Sequence, residues 1–169
     1  MRYVALLRGI NVGGTGLLPM KELAALCEGL GWKSVRTYIQ SGNVIFDSNA
    51  AEPKLKAQLE SALEARMGKK ISVMLRTGEE LHAVHDANPF PGKDPAKIGV
   101  HFLNEAPPKD LSRTVVAPAG EEVRPGRREI YVYYPIGMGQ SKLKLPLGGA
   151  AATVRNINTV ARLVEMAKS

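Results

Sequence analysis

The sequence predicts an α+β protein: a ferredoxin-like β-α-β-β-α-β N-terminal half packed on a second, related α+β half. Three observations predict it. Over residues 1–76, short apolar runs alternate with two longer stretches of helical period. Glycine, proline and other turn residues punctuate them in that order. Beyond a proline-rich segment at 89–95, a second series of short runs leads to one last helical stretch. Residues 1–76 therefore read as the ferredoxin-like subdomain. Residues 77–169 read as a second α+β subdomain with a C-terminal helix, the two making one compact unit with its seam near 89–95.

Tyr3–Leu7 is an apolar run closed by Arg8, a buried strand too short for a membrane span or a signal-peptide core. Four glycines follow within eight residues of Arg8, marking backbone that turns sharply or lies close to another group. Pro19 opens a helix, where its missing N–H costs nothing. Leu23, Leu26, Cys27 and Leu30 form its apolar face and Gly31 closes it. On that face Cys27 is a structural thiol rather than a nucleophile. Ser34–Gln40 and Val44–Phe46 read as strands joined by Ser41-Gly42-Asn43. Leu55, Leu59, Leu63 and Met67 stripe the next helix, Gly68 ends it, and Ile71–Leu75 is the fourth strand.

Connection rules make strands one and two parallel, on either side of strand three. The end of strand one, the Ser41-Gly42-Asn43 turn and the Gly68-Lys69-Lys70 loop then share one end of the sheet. From the strand spacing, Arg8 and the turn should lie roughly 10 Å apart.

Thr77-Gly78-Glu79-Glu80 is a capping box that starts a third helix, ending at Asn88-Pro89. Ile98–Leu103 reads as a strand, Pro107–Ser112 as a helical turn, and Glu121–Arg124 with Glu129–Tyr134 as a hairpin. The last helix is expected to start at Thr153, with Val154, Ile157, Val160, Val164 and Ala167 inward and Arg155, Asn158, Thr159 and Arg162 opposite.

The net charge is +7, unevenly placed: +5 over residues 1–76, −4 over 77–123 and +6 over 124–169. Two basic ends suit a polyanion or a phosphorylated ligand, and equally an ordinary solvated surface. One cysteine excludes an internal disulfide and a multi-cysteine metal cluster. No stretch approaches about 18 continuous apolar residues, so no transmembrane helix is expected, and the location is expected to be cytoplasmic.

Arg8–Gly14 is neither a dinucleotide fingerprint nor a P-loop, though its backbone N–H groups suit generic anion capture. His82, His85 and Asp86 fit a solvent-facing helix side better than a metal site. Ser141-Lys142 lacks a placeable partner base or oxyanion hole. Alternation sends Tyr131 and Tyr133 to one face, where core packing accounts for them.

Tyr3 to Gly14, Thr37 to Val44, Asn88-Pro89-Phe90, Ser141-Lys142 and Thr153 to Thr159 together resemble a bacterial family known as a domain of unknown function, DUF1697. The last motif departs from it at Ile157, where the family commonly has tryptophan. The resemblance implies an α+β fold of two related subdomains and no established activity, substrate or cofactor.

The leading expectation is a protein that binds an anionic small molecule or nucleic acid at a polar cleft between the subdomains. Its candidate residues are Arg8, Asn11, Ser41, Asn43, Lys142, Arg155 and Asn156. The rivals are a small enzyme acting on a phosphorylated or carboxylated metabolite there, and purely structural polar motifs. No catalytic constellation, cofactor or metal is assigned.

Overall fold

The computed structural model describes residues 1–10, 17–39 and 41–168. They form two four-stranded antiparallel sheets and five α-helices, so the α+β class is borne out. The chain divides into two compact units, Met1–Leu81 with Leu163–Ser169, and His82–Arg162.

In the first unit, β1 (Arg2–Leu7) pairs antiparallel with both β3 (Asn43–Asp47) and β4 (Val73–Thr77), and β2 (Lys33–Tyr38) pairs antiparallel with β3. The order is β2-β3-β1-β4. Since β1 and β2 both oppose β3, they run parallel to each other, as the connection rules require. Tyr3, Ala5 and Leu7 alternate onto the face covered by α1 (Met20–Gly29) and α2 (Glu52–Met67). There they join Leu23, Cys27, Leu55, Leu59 and Leu63 in a core. Trp32 stacks on Phe46 at 3.9 Å between ring centroids. Gly68, at φ 73°, closes α2 with its N–H on Glu64 O.

Two expected boundaries move. β2 carries a bulge: Ser34 and Val35 oppose Phe46 alone, with Ser34 at φ 53°. β4 starts at Val73 rather than Ile71, because β1 ends at Leu7, which faces Val73 in the ladder. Ile71 is buried without a place in that ladder.

The capping box forms as read. Thr77 N–H donates to Glu80 Oε1 at 2.8 Å, and Glu80 N–H donates to Thr77 Oγ1 at 3.1 Å, opening α3 (Gly78–Asp86).

In the second unit, β5 (Ile98–Phe102) lies between β7 (Glu129–Tyr133) and β8 (Thr153–Asn156), with β6 (Glu122–Pro125) outside β7. The order is β6-β7-β5-β8, every pair antiparallel. The expected helical turn is α4 (Leu111–Thr114), shorter and later than Pro107–Ser112.

The largest correction lies here. Thr153 to Asn156 are a strand, not the first turn of a helix. They complete the sheet along β5, where β-branched Thr153 and Val154 suit a ladder. The helix, α5 (Ile157–Lys168), starts one residue after Asn156, whose Oδ1 accepts the Asn158 N–H at 2.8 Å. Ile157, Val160, Leu163 and Val164 are its buried residues. Within the first unit, its last residues meet the sheet: Arg2 donates to Ala167 O and Arg36 to Met166 O.

Candidate functional site

One end of the first sheet gathers three segments. Leu7 N–H donates to Gly42 O at 2.9 Å, and Arg8 N–H donates to Ser72 O at 3.0 Å. The Ser41-Gly42-Asn43 turn is therefore bonded to the residue before Arg8, closer than two strand spacings. It feeds β3, the immediate neighbour of β1, rather than sitting a strand away. On the other side, Ser72 brings the Lys69-Lys70 loop to the same end. Arg8, Lys69 and Lys70 are all exposed.

The turn itself is tightly built. Gly42 has φ 87°, and a Cβ on it would lie 2.6 Å from Ile10 Cδ1 and 3.0 Å from Leu7 Cβ. Asn43 is fully buried, and its Nδ2 donates to Tyr38 O at 2.8 Å and Ser41 Oγ at 3.1 Å. Its side chain closes the turn from inside. Ser41 is half-buried beside it. Asn11 and the glycine cluster up to residue 16 lie outside the described residues.

The other three candidates belong to the second unit. Arg155 stands mid-ladder opposite Val100, not on a helix. It is buried, and its Nη1 donates to Thr153 Oγ1 at 2.8 Å and Val154 O at 2.9 Å. Burial pushes its pKa down to about 10. The next residue, Asn156, donates from Nδ2 to Pro95 O and Ala96 O while capping α5. Lys142 is exposed just beyond a 3₁₀ turn at Met138–Gln140. The structure thus brings Arg8, Ser41 and Asn43 together in the first unit, and Arg155 and Asn156 together in the second.

Two polar pairings were illegible in the sequence. Ser141 Oγ donates to Glu121 Oε2 at 2.6 Å and accepts Leu143 N–H at 3.1 Å. Its partner is a carboxylate, which the hydroxyl holds below its ordinary range, rather than Lys142. His101 Nε2 lies 2.6 Å from Tyr134 Oη. Burial pushes His101 down to about 4 and Tyr134 up to about 12, so both are neutral near pH 7. Twenty residues separate the first pair and 33 the second, so neither pairing is local in the chain.

Tyr131 is buried with its hydroxyl on Val84 O at 2.6 Å, as core packing requires. Burial raises the Cys27 thiol to about 12, which leaves it a poor nucleophile. His82 and His85 both turn to Asp86, at 3.2 and 3.3 Å. Among the described residues, no three His, Cys, Asp or Glu side chains group to hold a metal ion, and no helix is long and apolar enough to cross a membrane.

The chain is similar to a solved structure, that of the conserved bacterial protein SP0830 from Streptococcus pneumoniae. The identity is 26%, 98% of each chain is covered, and the TM-score is 0.78. A search of curated proteins finds no match. A family model described as a protein of unknown function, DUF1697, matches residues 1–131. That stretch holds β1 through most of the second sheet, including the Arg8 and Gly42 segments, and it makes the chain a member of the DUF1697 family.

Proposed function

We propose that this protein binds an anionic ligand, nucleic acid among the candidates, at the end of its first sheet, with Arg8 as the principal cation. The observation that carries this reading is the hydrogen bond from Arg8 N–H to Ser72 O. It sets an exposed arginine beside the exposed Lys69-Lys70 loop, concentrating one sign of charge at one sheet end. Ser41 adds a hydroxyl at the same end. The reading takes the first unit as ferredoxin-like, supported by the strand order and the wholly antiparallel pairing.

A structural reading is favoured for three of the other candidates. Asn43, Arg155 and Asn156 spend their donors on backbone and neighbouring side chains within their own units. Removing the side chain of Asn43 or Arg155 leaves buried or part-buried partners unpaired.

Paired measurements on two variants test both readings. Arg8→Gln should shift stability by no more than about 0.5 kcal/mol, as an exposed substitution does. It should weaken binding of a labelled single-stranded oligonucleotide, read by fluorescence anisotropy. Arg155→Gln should cost about 1–3 kcal/mol by leaving buried polar atoms unpaired. Wild-type affinity should fall steeply as salt rises, and inorganic tripolyphosphate should compete. Anisotropy that stays flat at low salt, with no thermal shift from tripolyphosphate, would overturn the anion site.

A further inference from the structure

Ile39, in the link between β2 and β3, has φ 51° and is 46% exposed. A β-branched side chain crowds the backbone in that left-handed region, which glycine and asparagine enter far more readily. Among the described residues one other non-glycine, Ser34, has a positive φ, and the bulge in β2 accounts for it. At position 39 the turn alone would be better served by asparagine or glycine. Strain of this kind persists where a side chain is needed, and nearly half of this one lies in solvent rather than in packing.

Ile39 belongs to the sheet end that carries Arg8. Its carbonyl accepts Gly42 N–H at 3.4 Å, and Gly42 O accepts Leu7 N–H at 2.9 Å. A second exposed aliphatic, Leu17 at 71%, reaches the same end. α1 leads into β2, and β2 runs parallel to β1, so α1 begins where β1 stops, just after Leu17. The exposed cations there are Arg8, Lys69 and Lys70. Residues 8–10, 17–20, 41–43 and 68–72 include no Asp or Glu. Glu22, in the first turn of α1, is held by Arg66.

We propose that this end of the first sheet docks on an anionic lipid surface, with Ile39 and Leu17 as its apolar tips. The inference rests on the anion-binding reading of the same end and names the partner. Exposed aliphatic tips set among cations fit the boundary of a bilayer: the tips enter the acyl region while the cations meet anionic headgroups. A free inorganic anion makes no use of Ile39 or Leu17. A single-stranded nucleic acid would want a ring to stack on, and an aliphatic side chain offers a base no such face. Three cations on two segments and two tips on two others describe a broad contact rather than a pocket.

The test is flotation of the full chain with vesicles of equimolar phosphatidylserine and phosphatidylcholine, and with vesicles of phosphatidylcholine alone. The first should carry the protein and the second should not. Ile39→Asn removes one tip and suits the left-handed backbone, so the melting temperature should hold or rise. It should weaken binding to the anionic vesicles roughly tenfold, the scale of burying one aliphatic side chain. Tripolyphosphate and oligonucleotide binding should not change in that variant. Leu17→Gln should act in the same direction. Equal flotation with both kinds of vesicle, or an Ile39→Asn affinity equal to wild type, would overturn the proposal. Binding of tripolyphosphate without flotation would overturn the lipid surface and leave the anion site standing. Binding of the oligonucleotide without flotation would overturn it in favour of nucleic acid. Binding of none of the three would overturn both readings.

Discussion

The two sheets follow one plan with different roofs. In each, the first strand in chain order sits inside, between the third and the fourth, and the second lies outside the third: β2-β3-β1-β4 and β6-β7-β5-β8. The first sheet is covered by α1 and α2, of 10 and 16 residues. In the second, the corresponding links are the four-residue α4 and an irregular run between β7 and β8. That run still delivers apolar mass, since Met138, Leu143, Leu145, Leu147 and Ala152 pack on Ile130, Val132 and Tyr134. Strand order is thus set by the ladders and by alternation along each strand, and does not depend on a helical cover. The covers should differ in rigidity, because three leucines of α2 are fully buried while those of the irregular run are half-buried.

The largest expected effect is at Gly42. A valine there must hold φ near 87° with its Cβ 2.6 Å from Ile10 Cδ1. Left-handed strain and overpacking together should cost about 3–5 kcal/mol. Gly99, on β5, also lacks room: a Cβ would meet Met138 Cε at 2.8 Å. That atom ends a flexible side chain in the irregular cover and can move, while Tyr134 Cε2 and Val154 Cγ2, each 3.1 Å away, must give by a few tenths of an ångström, so Gly99→Ala should cost about 1–2 kcal/mol. Urea midpoints for both variants read the contrast. Equal losses would show the second cover to be as unyielding as the first.

A smaller effect separates the covers directly. Leu59→Ala removes a fully buried side chain from the middle of α2 and should cost about 3 kcal/mol. Leu145→Ala removes a half-buried one from the irregular run and should cost about 1 kcal/mol, with the run closing over the gap. Calorimetric unfolding of the two variants measures the difference. A loss at Leu145 matching that at Leu59 would mean that the irregular run packs like a helix.

The same contrast explains what could be read from the sequence. The first unit declared itself because its signals were local: the leucines at 55, 59 and 63, Gly68 at a helix end, and Thr77 with Glu80 as a cap. The four strands and their order followed from alternation and connection rules. The second unit failed locally at Thr153, where cap chemistry and strand propensity compete in one residue type. The choice was settled by an open edge on β5, some fifty residues back along the chain, which no local window contains. Arg155 moved with it, from a helix surface to a buried ladder. At the candidate site, Arg8 and the Ser41 turn could be placed together, because hairpin and crossover geometry dictates it. The Ser141–Glu121 and His101–Tyr134 pairs could not, because their members stand 20 and 33 residues apart, beyond any local window.

An effect that is absent at neutral pH and emerges only on acidification concerns one face of the two central strands. β1 presents Tyr3, Ala5 and Leu7, whereas β5 presents Gly99 and His101 on the face toward Val132 and Tyr134. Burial lowers the His101 pKa from an ordinary 6.5 to about 4. A proton therefore binds the unfolded chain more tightly than the folded one. Stability from neutral His101 is fully present above pH 6.5 and is lost progressively as pH falls toward 4. By pH 5 the loss should be about 1–2 kcal/mol. Residues 1–81 contain no histidine, and burial raises Tyr3 and Cys27, so both stay neutral over that range. Amide hydrogen exchange at pH 7 and pH 5, corrected for intrinsic rates, should show protection falling in β5 and β7 while β1 and β3 hold. His101→Gln should flatten the response in the second sheet. An equal fall in both sheets would show that the units unfold together, and a pH response surviving in His101→Gln would assign it to another group.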